Sequence, residues 1–257
     1  MDILIIIIAS FAASLITLFS GFGLGTLLMP VFAIFFPVEI AVALTGIVHF
    51  LNNIFKVGLL GRYAQWKVVL QFGIPSVAGA FLGALTLLSL THLEPIAQYQ
   101  IGGANFFIQP IKLVIAVLMI YFAFAEMFPK LQSFTPPPGT LPLGGLLSGF
   151  FGGLSGHQGA LRSAFLLRYG LEKEQFIATG VVIACFVDFT RLSMYSTQFL
   201  SSDSMQHWEI VAAAVVSAFI GAYAGNLLLK KITLAFIQKV VGILLFGIAV
   251  ALGAGII

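Results

Sequence analysis

Charge is scarce in this sequence. Only 8% of its 257 residues are Asp, Glu, Lys or Arg, against roughly 25% in a soluble domain. Hydrophobic residues make up 60%, and the mean hydropathy is +1.10. That leaves too little charge to coat a water-facing surface, which excludes an ordinary cytosolic enzyme and a disordered chain. The net charge is only +3 and no run of basic residues accompanies it. The basic excess therefore reads as membrane orientation, not nucleic-acid affinity. Cysteine is nearly absent: Cys185 stands alone, so no internal disulfide is possible and the compartment is not legible from redox usage. Metal-ligand spacing of His, Cys, Asp or Glu is missing, and so are a Gly-x-Ser-x-Gly elbow and the Gly-Lys-Ser/Thr ending of a phosphate-binding loop. No cofactor, metal or catalytic residue is expected, and the protein is not read as an enzyme. No Lys or Arg precedes the first apolar run and no small-x-small cleavage site follows it, so that run is read as an uncleaved membrane segment.

Long apolar runs are what the chain does have. About 20 apolar residues span a bilayer as a helix. Eight segments qualify: Ile3–Phe19 with a continuation Thr26–Phe36, Ile40–Leu60, Val68–Leu90, Ile111–Phe128, an interrupted Leu141–Leu167, Phe176–Tyr195, Trp208–Leu229 and Phe236–Ile257. The fold class is therefore an all-α polytopic membrane protein whose partner is the lipid bilayer. Abundant Gly lets such helices approach closely. The Pro-rich stretch 134–140 cannot continue a helix. It is read as a linker between a first repeat, 1–133, and a second, 141–257.

The two stretches resemble each other. Thr45-Gly46 recurs as Thr179-Gly180, and Gly25 as Gly159, both 134 residues apart. Trp66 followed by Gly79-x-x-x-Gly83 recurs as Trp208 followed by Gly221-x-x-x-Gly225, 142 residues apart. Charge suggests how the copies are oriented. The Lys56–Lys67 turn is basic whereas its counterpart Arg191–Glu209 is not. The His92–Gln109 loop lacks Lys and Arg, whereas its counterpart carries Lys230, Lys231 and Lys239. Basic loops stay cytoplasmic, so equivalent loops lie on opposite sides, as in an inverted repeat. Eight full crossings would set the two basic loops on opposite faces. The conflict disappears if the first and fifth segments enter and return as broken hairpins.

The breaks themselves are Ser20-Gly21-Phe22-Gly23-Leu24-Gly25 and Gly152-Gly153-Leu154-Ser155-Gly156-His157-Gln158-Gly159, the latter running on to Arg162 and Ser163. Irregular backbone at membrane depth survives only where protein buries it or water reaches it. A helix restarting there offers free N–H groups and a positive dipole end to an anion. Arg162, Ser155, His157 and Gln158 add donors, and Gly21, Gly23, Gly25 and Gly159 supply the backbone. In the second segment His49, Asn52, Asn53 and Lys56 share one helix face at i, i+3, i+4 and i+7. Asn52 and Asn53 either bond neighbouring helices or face a cavity. Lys56 is expected to snorkel to the cytoplasmic interface, and His49 is a candidate proton carrier. In the sixth segment Asp188 and Arg191, at i, i+3, suit an ion pair. Arg191 there is a candidate anion ligand and Asp188 a candidate proton site. Trp66 and Trp208 read as interface anchors, and the Gly-x-x-x-Gly pairs as packing motifs.

Ser20-Gly21-Phe22-Gly23-Leu24-Gly25 with Pro30, the helix bearing Thr45-Gly46 and Asn52-Asn53, and the second break from Gly152 to Gly159 together resemble the TauE/SafE family of sulfite and organosulfonate exporters. The resemblance covers essentially the whole chain. The second break departs from the family's usual Gly-Gly-Gly run, reading Ser155-Gly156-His157-Gln158-Gly159. The resemblance implies movement of small sulfur-containing anions, with no cofactor and no ATP site. The expectation is a secondary transporter in the cell membrane with the Lys56–Lys67 and Lys230–Lys239 loops cytoplasmic. Its anion would sit between the two breaks, and protons would couple through His49 or Asp188. An anion channel and an intramembrane enzyme are the alternatives. The sequence leaves open whether the chain forms a homo-oligomer.

Overall fold

The computed structural model describes residues 2–20, 23–128, 137, 139–199, 208–228 and 234–257. Among the described residues ten α-helices carry the fold: α1 Asp2–Ser20, α2 Leu24–Phe35, α3 Val38–Leu60, α4 Trp66–Thr91, α5 Pro110–Met127, α6 Leu141–Ser155, α7 Gly159–Leu166, α8 Lys173–Phe199, α9 Trp208–Leu228 and α10 Leu234–Gly253. Each interrupted segment is a helix pair, α1–α2 and α6–α7. By length and composition, helices within 38–63, 66–91, 173–196 and 208–225 suffice to cross a membrane, and shorter apolar helices accompany them. The polarity is that of a lipid-facing molecule. Leu70, Ile74, Phe81 and Leu82 of α4 are exposed, whereas His49, Asn53, Asp188 and Arg191 are buried.

One element departs from an all-helical reading. The loop between α4 and α5 holds an antiparallel hairpin, β1 Ala97–Ile101 and β2 Ala104–Ile108, paired from Ala97–Ile108 to Ile101–Ala104. Gly102 and Gly103 turn it with φ of 59° and 84°. Two consecutive positive φ values are what a two-residue type I′ turn demands. The Gly-Gly between two short β-prone runs was the available signal. Tyr99 anchors the hairpin by donating to the Ala254 carbonyl beyond α10.

Glycine decides how the helices approach. A Cβ on Gly79 would strike the Leu146 carbonyl, and one on Gly83 the Phe150 carbonyl. From the other helix, Cβ atoms on Gly145, Gly149 and Gly153 would strike the carbonyls of Phe72, Ser76 and Ala80. The contacts advance together along both helices, so α4 and α6 run parallel with their backbones touching. α1 and α9 do the same: Gly221 sits against the Phe11 carbonyl, and Ser217 Oγ donates to Ile7 O at 2.7 Å. α3 packs on α8 and α5 on α10. Exchanging the α1–α5 block with the α6–α10 block maps the α4–α6 seam onto α9–α1 and leaves the other two pairs in place.

α7 folds back along α6. A Cβ on Gly152 would lie 2.9 Å from Gln158 Cβ, Ser148 Oγ donates to Gln158 O at 2.9 Å, and Phe165 covers Gly144 near the start of α6. The second break is therefore the tip of a helical hairpin. In the first pair, Ile6 and Ala13 of α1 share one core with Leu24, Leu28, Phe32 and Ala33 of α2.

Candidate functional site

The two breaks meet. A Cβ on Gly25, at the start of α2, would sit 3.2 Å from the carbonyl oxygen of Gly156 at the tip of the second hairpin. Gly156 holds φ +81°, a left-handed conformation that leaves its backbone open to close approach. Gly21 lies outside the described residues.

Below this meeting point α3 and α8 cross, and their polar residues interlock. Asp188 is the hub and is fully buried. Its Oδ2 accepts from His49 Nδ1 at 2.6 Å and from Asn53 Nδ2 at 3.3 Å. Its Oδ1 accepts from Gln158 Nε2 and Arg191 Nε, each at 3.0 Å, with Arg191 Nη2 at 2.9 Å. The ion pair expected from the i, i+3 spacing is thus present. Arg191 also donates to the Gly152 carbonyl at 3.3 Å, and Tyr195 donates to the Gly153 carbonyl. A buried ion pair tolerates desolvation only when its remaining lone pairs and protons find partners. Here His49, Asn53 and Gln158 on the carboxylate and the Gly152 carbonyl on the guanidinium supply them.

The repeated Thr-Gly pairs have a steric reason. A Cβ on Gly46 would lie 3.3 Å from Arg191 Cζ, and one on Gly180 3.3 Å from Arg162 Nε. Each glycine seats a guanidinium carried by another helix.

Beside the hub lies a cavity of about 30 Å³, enough for about two water-sized spheres. Two cations line it, Lys56 and Arg162, together with His49, Asn53, Thr17 and Ser163, and with Gly23 and Leu24 from the start of α2. Lys56 is 4% exposed and Arg162 6%. Arg162 donates to Gln158 Oε1 at 3.3 Å, so Gln158 bridges it to Asp188. Among the described residues no carboxylate pairs directly with Lys56 or Arg162; both salt bridges converge on Asp188.

Of the residues singled out in the sequence, Arg162, Asn53, Gly23 and His49 line this cavity. Gln158, Asp188 and Arg191 form the layer behind it, and Gly25 makes the contact between the breaks. Gly159 starts α7, one turn before Arg162. Asn52 instead accepts from Ser14 Oγ of α1 at 3.3 Å. Ser155 donates back to Phe151 O at 3.1 Å. His157 is turned to α5, stacked on Phe122 with ring centres 5.2 Å apart and planes 6° apart, and its Nδ1 lies 3.0 Å from Ser155 O. The expectation for Lys56 is corrected: it is buried in the cavity wall and does not snorkel outward. Its place at i+7 from His49, on the same face as Asn53, was the signal that carried it inside. Thr17 and Ser163 were missed, because a lone hydroxyl in an apolar helix has no distinguishing pattern. Trp66 and Trp208 stand exposed at the first residues of α4 and α9.

A family model described as sulfite exporter TauE/SafE matches residues 6–252. The chain belongs to that family. No curated protein and no solved structure matches it. TauE/SafE membership and the apolar helices together make it a multi-pass membrane protein of a transporter family.

Proposed function

We propose that this protein carries a small sulfur-containing oxyanion, such as sulfite or a compact organosulfonate, across the cell membrane by alternating access. The single observation that carries this reading is the pairing of Lys56 and Arg162 in one buried cavity with no carboxylate partner of their own. Two desolvated cations without counter-ions attract an anion strongly, and Asn53, Ser163 and Thr17 offer hydrogen bonds that orient it. TauE/SafE membership supports the sulfur chemistry.

On this reading residues 1–133 and 141–257 are inverted repeats joined by the linker 134–140. A helix pair that returns to its own side adds no net crossing, so α3, α4 and α5 leave an odd number in the first repeat. The second repeat then starts from the opposite face. By their place in the chain, Arg62, Lys67, Arg168, Lys173 and Lys239 fall on one side; Lys230 and Lys231 lie outside the described residues. Lys112 alone falls on the other. That asymmetry supports cytoplasmic Lys56–Lys67 and Lys230–Lys239 loops. On this topology the cavity-lining Lys56 and Leu166, near the ends of α3 and α7, lie nearest the basic side, which supports reading this state as inward-facing.

The test is a thermal-shift and flux series with sulfite, sulfate, thiosulfate, sulfoacetate and taurine. A bound anion raises the melting temperature according to its affinity. Lys56→Gln and Arg162→Gln, each shown to be folded and inserted, are expected to lose the shift and the proteoliposome flux together. Undiminished flux in both variants removes the cavity from the binding role.

A further inference from the structure

We propose that His49 is the proton carrier of this transporter: it takes up a proton on Nε2 when an anion enters the cavity, while Asp188 remains an ionised carboxylate that holds the ring. This rests on the anion-carrier reading and specifies how that cavity couples to protons.

The hydrogen bonds assign the protons. The contacts to Asp188 come from groups that can only donate or, for His49, that must donate to a carboxylate. Oδ1 takes Gln158 Nε2 at 3.0 Å and Arg191 Nε at 3.0 Å, and Oδ2 takes Asn53 Nδ2 at 3.3 Å and His49 Nδ1 at 2.6 Å. A proton on Oδ1 would displace Gln158 or Arg191 inside a fully buried site, leaving a polar group unpaired. A proton on Oδ2 would have to be held against the Arg191 guanidinium at 2.9–3.0 Å, which favours the carboxylate and leaves the shared proton on His49. His49 must carry its proton on Nδ1 to donate to Oδ2, which leaves the lone pair on Nε2.

That nitrogen faces the cavity side. A Cβ on Gly23 would lie 3.1 Å from Nε2, and Gly23 and His49 both line the cavity. Among the described residues its other polar neighbour is Asn53 Nδ2 at 3.3 Å. Asn53 Nδ2 also lies 3.2 Å from Nδ1 and keeps its bond to Asp188 Oδ2 at 3.3 Å, so a proton gained on Nε2 is left to face the cavity that His49 lines. The charged groups facing His49 are Asp188 and Arg191 on α8, Arg162 on α7 and Lys56 on its own helix. α1 and α2 contribute the Thr17 hydroxyl and uncharged residues at 23 and 24.

The charges set the direction of coupling. Asp188 and Arg191 cancel, so an empty cavity is framed by Lys56 and Arg162, and a proton on His49 would add a third positive charge. An anion between them reverses that balance. Anion and proton therefore favour each other's binding, and the favour is reciprocal. The proton arrives from solvent onto Nε2 and leaves with the anion on the far side. A monoanion then crosses with no net charge, and a dianion with one negative charge.

The experiment titrates purified, detergent-solubilised protein in weak buffer with sulfate, methanesulfonate and sulfite. Proton uptake is read with a pH-indicating dye and binding by calorimetry. Sulfate and methanesulfonate stay unprotonated near neutral pH, and His49→Gln gives the baseline for sulfite's own proton. The wild type is expected to take up as much as one proton per anion bound, with Kd rising up to tenfold per pH unit. His49→Gln is expected to bind through Lys56 and Arg162, up to tenfold more weakly, with no proton uptake and a flat pH profile. Wild-type binding without proton uptake overturns the proposal whatever the variant does, and so does full uptake in His49→Gln. If none of the three anions binds the folded wild type, the carrier reading fails and this proposal fails with it.

Discussion

At the residue scale, the difference between two related positions sets the charge of the site. Asp188 stands three residues before Arg191 and pairs with it, whereas Asn53 stands three before Lys56 and offers it no counter-charge. Asn53→Asp is therefore expected to pair with Lys56, cancel half of the cavity's charge and weaken anion binding at least tenfold, about 1.4 kcal/mol. Calorimetric titration checks it. Gly180→Val should displace the Arg162 guanidinium, whose Nε lies 3.3 Å from where a Cβ would be. The expected outcome is a similar loss of binding with the fold retained, read by the thermal shift with and without anion. Arg162, Asn53 and His49 were legible because polar residues in apolar helices at helical spacing have few bland explanations. His157 looked equivalent and is not. Spacing cannot tell which side of a hairpin tip a ring turns to, and here Phe122 on a distant helix decides it.

At the element scale, the α4–α6 seam brings two helix backbones into direct contact. Gly149 presents its backbone to the Ser76 carbonyl with no space for a methyl group. Backbone on both sides cannot yield as a flexible side chain would. Gly149→Ala is expected to cost at least about 1–3 kcal/mol and to lower the melting temperature and membrane yield, while the same change at Gly247, which nothing crowds, leaves both unchanged. The helices and both breaks could be read from apolar runs and glycine alone. The β-hairpin between α4 and α5 went unread because five-residue runs are short against a chain dominated by helix-length apolar stretches. Its Gly102-Gly103 turn was the one local mark.

At the scale of the whole molecule, sidedness follows from connectivity. With Cys185→Ala as background, a cysteine replacing Arg62 is expected to react with a membrane-impermeant thiol reagent only from the cytoplasmic face. One replacing Gln100 in the hairpin should react only from outside. Labelling of both from one face would rule out the odd number of crossings per repeat. The charge pattern predicts this arrangement, whereas the packing partners were not legible in the sequence. Which helix lies against which is settled by side chains and glycines far apart in the chain.

The parallel seams join α4 to α6 and α1 to α9, so each hairpin is clasped by a helix encoded in the opposite part of the gene. The stiff bodies of this protein therefore straddle the Pro-rich linker instead of being divided by it. Neither piece of the chain owns a finished wall. A chain cut between them is expected to need both fragments in the same membrane before either can close around a solute.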